Sequence, residues 1–182
     1  MTRKPRPAPP GTKASDEVQS MIRVDHAGEY GAVRIYEGQL AVLGEGPAAD
    51  AIRRMADQEQ RHLETFDRLV VERRVRPTAL EPLWRLAGFA LGAATALMGE
   101  KAAFACTAAV EEVIDEHYAG QIERLGRADP ELRTVVADFR ADEIAHRDAA
   151  IALGAEDAPA YRLLSGTIKA GCRLAIALST RI

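Results

Sequence analysis

Twice in this chain a glutamate and a histidine three residues apart fall inside an apolar helical stripe. Glu59 and His62 do so in "MADQEQRHLETF" (55–66), Glu143 and His146 in "DEIAHRD" (142–148). Residues three apart project from neighbouring turns of one helix face. Ile52, Met55, Phe66 and Leu69 share the first face; Leu132, Val136, Phe139, Ala150 and Leu153 share the second. A helix that buries such a stripe buries the carboxylate and imidazole with it, and an uncompensated buried ion costs several kcal/mol. Any fold open to this chain must bring a partner to these groups.

Breakers divide the chain into six helical segments, at about 15–43, 48–75, 82–98, 100–126, 129–153 and 160–179. The first ends at "GEGP" (44–47), the fourth at "GRADP" (126–130), where Asp129 can cap and Pro130 can open the next helix. No segment alternates with a period of two, so an all-α fold is expected. A chain of 182 residues suits one core. Residues 15–182 form that domain, and the basic, proline-rich residues 1–14 read as a disordered tail. A net charge of −3 gives no reason to invoke nucleic acid. Cys106 and Cys172 make neither a disulfide framework nor a CxxC metal motif, which fits a reducing compartment.

Each Glu-x-x-His pair lies in the second helix of a helix–turn–helix unit. If the helices of a unit run antiparallel, Glu29 stands level with the first pair and Glu111 with the second. The Glu29–Glu59 separation is 30 residues and the Glu111–Glu143 separation 32, so the two hairpins read as an internal repeat. Glu29 lies on a stripe of Ile22, Val33, Tyr36, Leu40 and Leu43; Glu111 lies on one of Phe104, Ala108, Ile114, Tyr118, Ile122 and Leu125. Glu112 shares a face with Glu116 and Glu123 and is expected in solvent. Four inward carboxylates and two imidazoles, with no comparable set of Lys or Arg on the stripes, call for two divalent cations. Mixed carboxylate and imidazole ligation without thiolate suits iron or manganese.

Four runs carry a wider likeness: "RVDHAGEYGAVRIYEGQLAVLG" (23–44), "VRPTALEPLWRLAGFALGAATALMGEKAAFACTAAVEE" (75–112), "DEIAHRD" (142–148) and "AGCRLAIALS" (170–179). They resemble the demethoxyubiquinone hydroxylase family of ubiquinone biosynthesis, within the ferritin-like superfamily, and the likeness extends from about residue 18 to 182. The resemblance implies a ferritin-like four-helix bundle with two additional helices and a di-iron site in its core. The family's iron ligands fall on Glu29, Glu59, His62, Glu111, Glu143 and His146. It further implies a monooxygenase that hydroxylates demethoxyubiquinol (2-polyprenyl-3-methyl-6-methoxy-1,4-benzoquinol) with dioxygen and two electrons attributed to NADH. The expected location is peripheral, on the cytoplasmic side of a bacterial inner membrane, in the company of other ubiquinone-biosynthesis proteins. Oligomeric state is left open. His117 and Tyr118 either steer protons or electrons near the site or are an exposed histidine and a packed tyrosine; the sequence favours neither.

"LAGFALGAATALMG" (86–99) is greasy but falls short of the roughly 20 apolar residues that span a bilayer. Given a polyprenyl substrate, this segment is expected to lie in the membrane interface, with Trp84 and Arg85 at headgroup level and Leu91 and Leu97 toward lipid. "ERRVRP" (72–77) would then face anionic lipids. The plain alternative is a core helix. Functional rivals are an iron oxidase or store with the same ligands, a manganese catalase, and a non-enzymatic lipid-binding bundle.

Overall fold

A computed structural model describes residues 15–182, and the expected tail, residues 1–14, lies outside the described residues. The described residues are helical, with no strand: α1 (Asp16–Leu43), α2 (Pro47–Glu72), α3 (Glu81–Leu97), α4 (Glu100–Leu125), α5 (Pro130–Ala152) and α6 (Tyr161–Ser179). A short 3-10 turn, Ala155–Asp157, joins the last two.

The local signals act as expected. Ser15 caps α1 by accepting from the Val18 amide, and Asp129 caps α5 by accepting from Leu132 at 3.1 Å. Pro47, Pro82 and Pro130 sit in first turns, where their missing N–H leaves no helix bond unmade. α1 and α4 both stop at a glycine with positive φ, Gly44 and Gly126, whose amides bond back to Leu40 and Ile122. The two hairpins therefore end their first helices by the same device.

α1 packs against α2 and α3, and α4 against α5 and α6. Two apolar clusters fill the interior. One gathers Tyr36, Ile52, Met55, Phe104 and Ala150 near one end of the hairpins; the other gathers Ile22, Phe66, Tyr118, Leu132 and Val136 toward the other. The polar residues singled out above lie between them along the chain. Arg73, at the end of α2, straps the hairpins together by binding Asp129 at 2.8 Å and Glu131 at 2.7 Å. Its charge is thus engaged within the protein, whereas Arg74 and Arg76 of the same run, 72–77, are exposed.

α3 is neither wholly core nor wholly surface. Gly88 and Gly92 press it onto α1: a Cβ at position 92 would meet the Ile35 carbonyl oxygen at 1.9 Å. Gly38 serves the same contact from α1, where a Cβ would meet the Phe89 carbonyl oxygen at 2.2 Å. The opposite face leaves Leu83, Leu86, Phe89 and Leu97 exposed. Leu91, expected toward lipid, instead packs on Cys106, Val110 and Ile168. Trp84 is half-buried and donates its Nε1–H to Ser179 Oγ at 3.0 Å. Among the described residues, no helix is long and apolar enough to cross a membrane.

Candidate metal centre

The four helices of the two hairpins bring all six expected residues to one place, each at most 3% exposed. Their ligand atoms form two groups within which every atom lies within 4.8 Å of the others: Glu29, Glu59, His62 and Glu143, and Glu59, Glu111, Glu143 and His146. Glu59 and Glu143 belong to both groups. Glu29 and Glu111 each belong to one.

Several of the inward atoms have no hydrogen-bond partner: Glu29 Oε2, Glu59 Oε1, both oxygens of Glu143, His62 Nδ1 and His146 Nδ1. They are close together, His62 Nδ1 being 3.2 Å from Glu143 and His146 Nδ1 3.0 Å from Glu59, but not in hydrogen-bonding alignment. An orphaned buried polar atom costs about 1–3 kcal/mol. A set of them converging from four helices fits cations between them, and the donor set fits iron or manganese.

Electrostatics describe the same crowding. Burial, followed by the charges of Glu143, Glu29 and Glu111, pushes the Glu59 carboxyl well above the usual range. Burial and then Glu143 do so for Glu111, and burial raises Glu143 while the neighbouring His62 pulls it back. Burial opposes the charged form of His62, but Glu143 and Glu29 outweigh it and raise the imidazole to about 10. His146 is lowered, chiefly by burial.

A supporting layer surrounds these groups, and sequence reading missed part of it. Tyr36 of α1 donates to Glu111 Oε1 at 2.8 Å, while Tyr118 of α4 donates to Glu29 Oε1. Each tyrosine stands seven residues after one glutamate and reaches across to the other. The repeated Glu-x6-Tyr spacing is the signal for this pairing, whereas the stripe around Glu29 marks Tyr36 only as a packed residue. The outer nitrogens of the ligand imidazoles are held as well, His62 Nε2 by Asp142 at 3.1 Å and His146 Nε2 by Gln58 at 3.1 Å. Phe139 stacks on the His62 ring at 3.9 Å.

His117 is not the exposed histidine of the plainer expectation. It is half-buried, outside the six-residue cluster, and binds Asp25 at 3.2 Å and Gln121 at 2.8 Å. Burial raises the Asp25 carboxyl, with His117 and Gln121 pulling back. Glu112, expected in solvent, is partly covered and pairs with Lys169 of α6 at 2.6 Å. Leu153, expected inward, is 45% exposed.

A large cavity of about 410 Å³ opens between α1, α3, α4 and α6. Its walls are almost wholly apolar or small, among them Ala27, Ile35, Leu91, Ile168 and Ala175, and Gly31 and Gly171 leave space where side chains would project. Val24, Gly28, Ala32, Ile114 and Ile176 line both this cavity and a small one of about 20 Å³ that touches Glu29, Glu59, Glu111 and Glu143. Only that thin wall separates the apolar space from the carboxylates.

Fold and site together define a class: an all-helical protein with a buried carboxylate–imidazole cluster suited to a pair of metal ions beside an apolar cavity. The particular family follows from comparison with known proteins. Residues 16–179 match the family model described as "Ubiquinone biosynthesis protein COQ7", and the chain belongs to that family. It is 57% identical over 166 residues to a Rhodospirillum rubrum protein named 3-demethoxyubiquinol 3-hydroxylase, covering 91% of this chain and 78% of that one. It is 53% identical over 169 residues to a human protein named NADPH-dependent 3-demethoxyubiquinone 3-hydroxylase, mitochondrial, covering 91% and 78%. A Saccharomyces cerevisiae protein named 5-demethoxyubiquinone hydroxylase, mitochondrial, is 40% identical over 202 residues, covering 100% of this chain and 87% of that one.

Proposed function

We propose that this chain hydroxylates demethoxyubiquinol in ubiquinone biosynthesis, placing one oxygen atom from dioxygen on the unsubstituted carbon of a polyprenyl benzoquinol ring. Glu29, Glu59, His62, Glu111, Glu143 and His146 would hold two iron ions. When bound, they supply the reduction and activation of dioxygen that a hydroxylation of this kind needs. The reading is supported most directly by the apolar cavity against the carboxylate cluster. An iron oxidase or store has no use for such a space at that position; a hydroxylase of a lipid quinol needs it there. A volume near 410 Å³ falls in the range of about 300–1,000 Å³ usual for small-molecule sites, and the isoprenoid tail would continue outward between α3 and α6.

The chain's own groups divide the remaining work. Tyr36 and Tyr118 hold Glu111 and Glu29 by one oxygen each, leaving the other free to face a cation. The apolar wall of Val24, Ala32, Ile114 and Ile176 keeps water from the reacting ring. Electrons come from a reduced nicotinamide nucleotide; NADH was the sequence-based expectation, whereas the human and mouse relatives are named for NADPH. The protein binds one face of a membrane without spanning it, the cytoplasmic face in a bacterium. Leu86 and Leu97 of α3 and Leu163 and Leu174 of α6, exposed at 60–76%, belong to the two helices that wall the cavity.

A strain lacking its own demethoxyubiquinol hydroxylase tests the proposal. Expression of this chain should replace accumulated demethoxyubiquinone with ubiquinone, and the Glu143→Ala variant, expressed to the same level, should not. Continued accumulation with the unaltered chain would count against the substrate assignment.

A further inference from the structure

The two hairpins repeat one another closely at the centre, and they differ in the group that stands behind each imidazole. Each metal group has one carboxylate of its own, Glu29 or Glu111, and each of these accepts a hydrogen bond from one tyrosine. Each shares Glu59 and Glu143, and each has one imidazole with Nδ1 turned inward. Behind each imidazole the opposite hairpin supplies an acceptor for Nε2, from the residue immediately before a shared glutamate: Asp142 before Glu143, Gln58 before Glu59. The distances match, at 3.1 Å each. One acceptor is a carboxylate and the other a neutral amide.

We infer, on the reading that this centre holds two metal ions, that Asp142 and Gln58 are positioning residues that make the two positions unequal. The ion among Glu29, Glu59, His62 and Glu143 is the more tightly held. A metal-binding imidazole must be neutral, with its proton on the outer nitrogen, so both holders fix tautomer and ring orientation alike. They differ in how strongly they draw on that proton. A carboxylate accepting N–H leaves more electron density on the inner nitrogen than an amide oxygen does, and it adds a negative charge behind the ligand. Phe139, stacked on the His62 ring, fixes its plane without altering the outer acceptor. Asp142 keeps 42% of its side chain exposed, so water screens its charge in part, but the hydrogen bond to His62 is direct.

The test titrates the metal-free, full-length chain with ferrous iron under anaerobic conditions. The unaltered chain should bind two ions in unequal steps. Asp142→Asn keeps an acceptor oxygen while removing the charge. It should weaken the tighter step by about 10–100-fold, the range usual for such outer partners, and leave the weaker step nearly unchanged. Asp142→Glu should retain the inequality, and Gln58→Glu should tighten the weaker step. With one equivalent of iron-57, Mössbauer spectra should show one dominant ferrous doublet in the unaltered chain and two comparable ones in Asp142→Asn. An unchanged thermal midpoint of metal-free Asp142→Asn shows that folding is not the cause; a midpoint lowered in step with affinity would overturn the positioning role. Two equal steps in the unaltered chain, or steps indifferent to Asp142→Asn and Gln58→Glu, would overturn the inequality and leave the metal centre standing. A chain that binds no iron would overturn both.

Discussion

Glu111 and Glu112 are adjacent in sequence and differ in circumstance. Glu111 is 2% exposed, bonded to Tyr36 and grouped with Glu59, Glu143 and His146; Glu112 lies at the surface and pairs with Lys169. Glu111→Ala should therefore cut iron content from about two per chain toward one. Glu112→Ala should leave it unchanged and cost at most about 1 kcal/mol, as partly exposed ion pairs do. Metal analysis after anaerobic loading, with thermal melts of both variants, checks the pair, and equal iron in both would contradict the assignment. The six inward residues were legible because helical faces and turn symmetry are properties of the sequence alone. Tyr36, Asp142 and Gln58 were not, because their work depends on which residue of another helix stands opposite. A stripe position such as Tyr36 announces burial; its hydroxyl's destination on Glu111 is set by the register between α1 and α4.

At the scale of elements, the glycines of α3 and its surroundings do two opposite things. Gly88 and Gly92 let backbones touch, whereas Gly31 and Gly171 leave a void. Gly92→Ala forces its Cβ into the Ile35 carbonyl and should destabilise the fold by about 2 kcal/mol or more, a typical cost of overpacking. Gly120→Ala, on α4 with open space around it, should instead stabilise by about 0.5–1 kcal/mol through helix propensity. Urea melts of the two variants should move in opposite directions. Helix boundaries were readable to within a few residues because caps and breakers are local signals. That α3 would use one face for α1 and another for the surface was not readable, since its composition is apolar all round. Leu86 and Leu97, eleven residues and three turns apart, mark the outer face and are 70% and 76% exposed. Changing both to Glu should release the protein from anionic vesicles with its circular dichroism intact. Loss of helicity in that variant would instead make the outer face of α3 part of the fold's core.

The whole molecule carries the electrostatic load of its centre, and pH should expose it. Folded Glu59 and Glu111 hold protons at pH values where the unfolded chain has released them. Their contribution to stability is thus fully present below the ordinary carboxylate range and is lost as pH rises toward their folded values. His62 acts with the same sign: raised to about 10, it stabilises fully below about 6.5 and its contribution fades as pH climbs through 10. His146, lowered by burial, acts oppositely, losing stability as pH falls below about 6.5. The metal-free chain should consequently melt at lower temperature as pH rises from about 7 to 9, and ferrous iron should abolish or reverse that slope, because the metal takes the place of the protons. A metal-free melting temperature that climbs over this interval would contradict the account of the cluster.

The central claim joins the cluster to the cavity: the six residues would hold the metal that supplies dioxygen activation, and the chain hydroxylates a lipid quinol seated behind a thin apolar wall. Its most direct measurement supplies the iron-loaded, reduced protein with demethoxyubiquinol and dioxygen labelled with oxygen-18. The account predicts a product carrying one labelled oxygen on the ring, and none from Glu143→Ala or His146→Ala. Label found only in water, with ferrous iron consumed and the quinol unchanged, would contradict it and mark the centre as an iron oxidase.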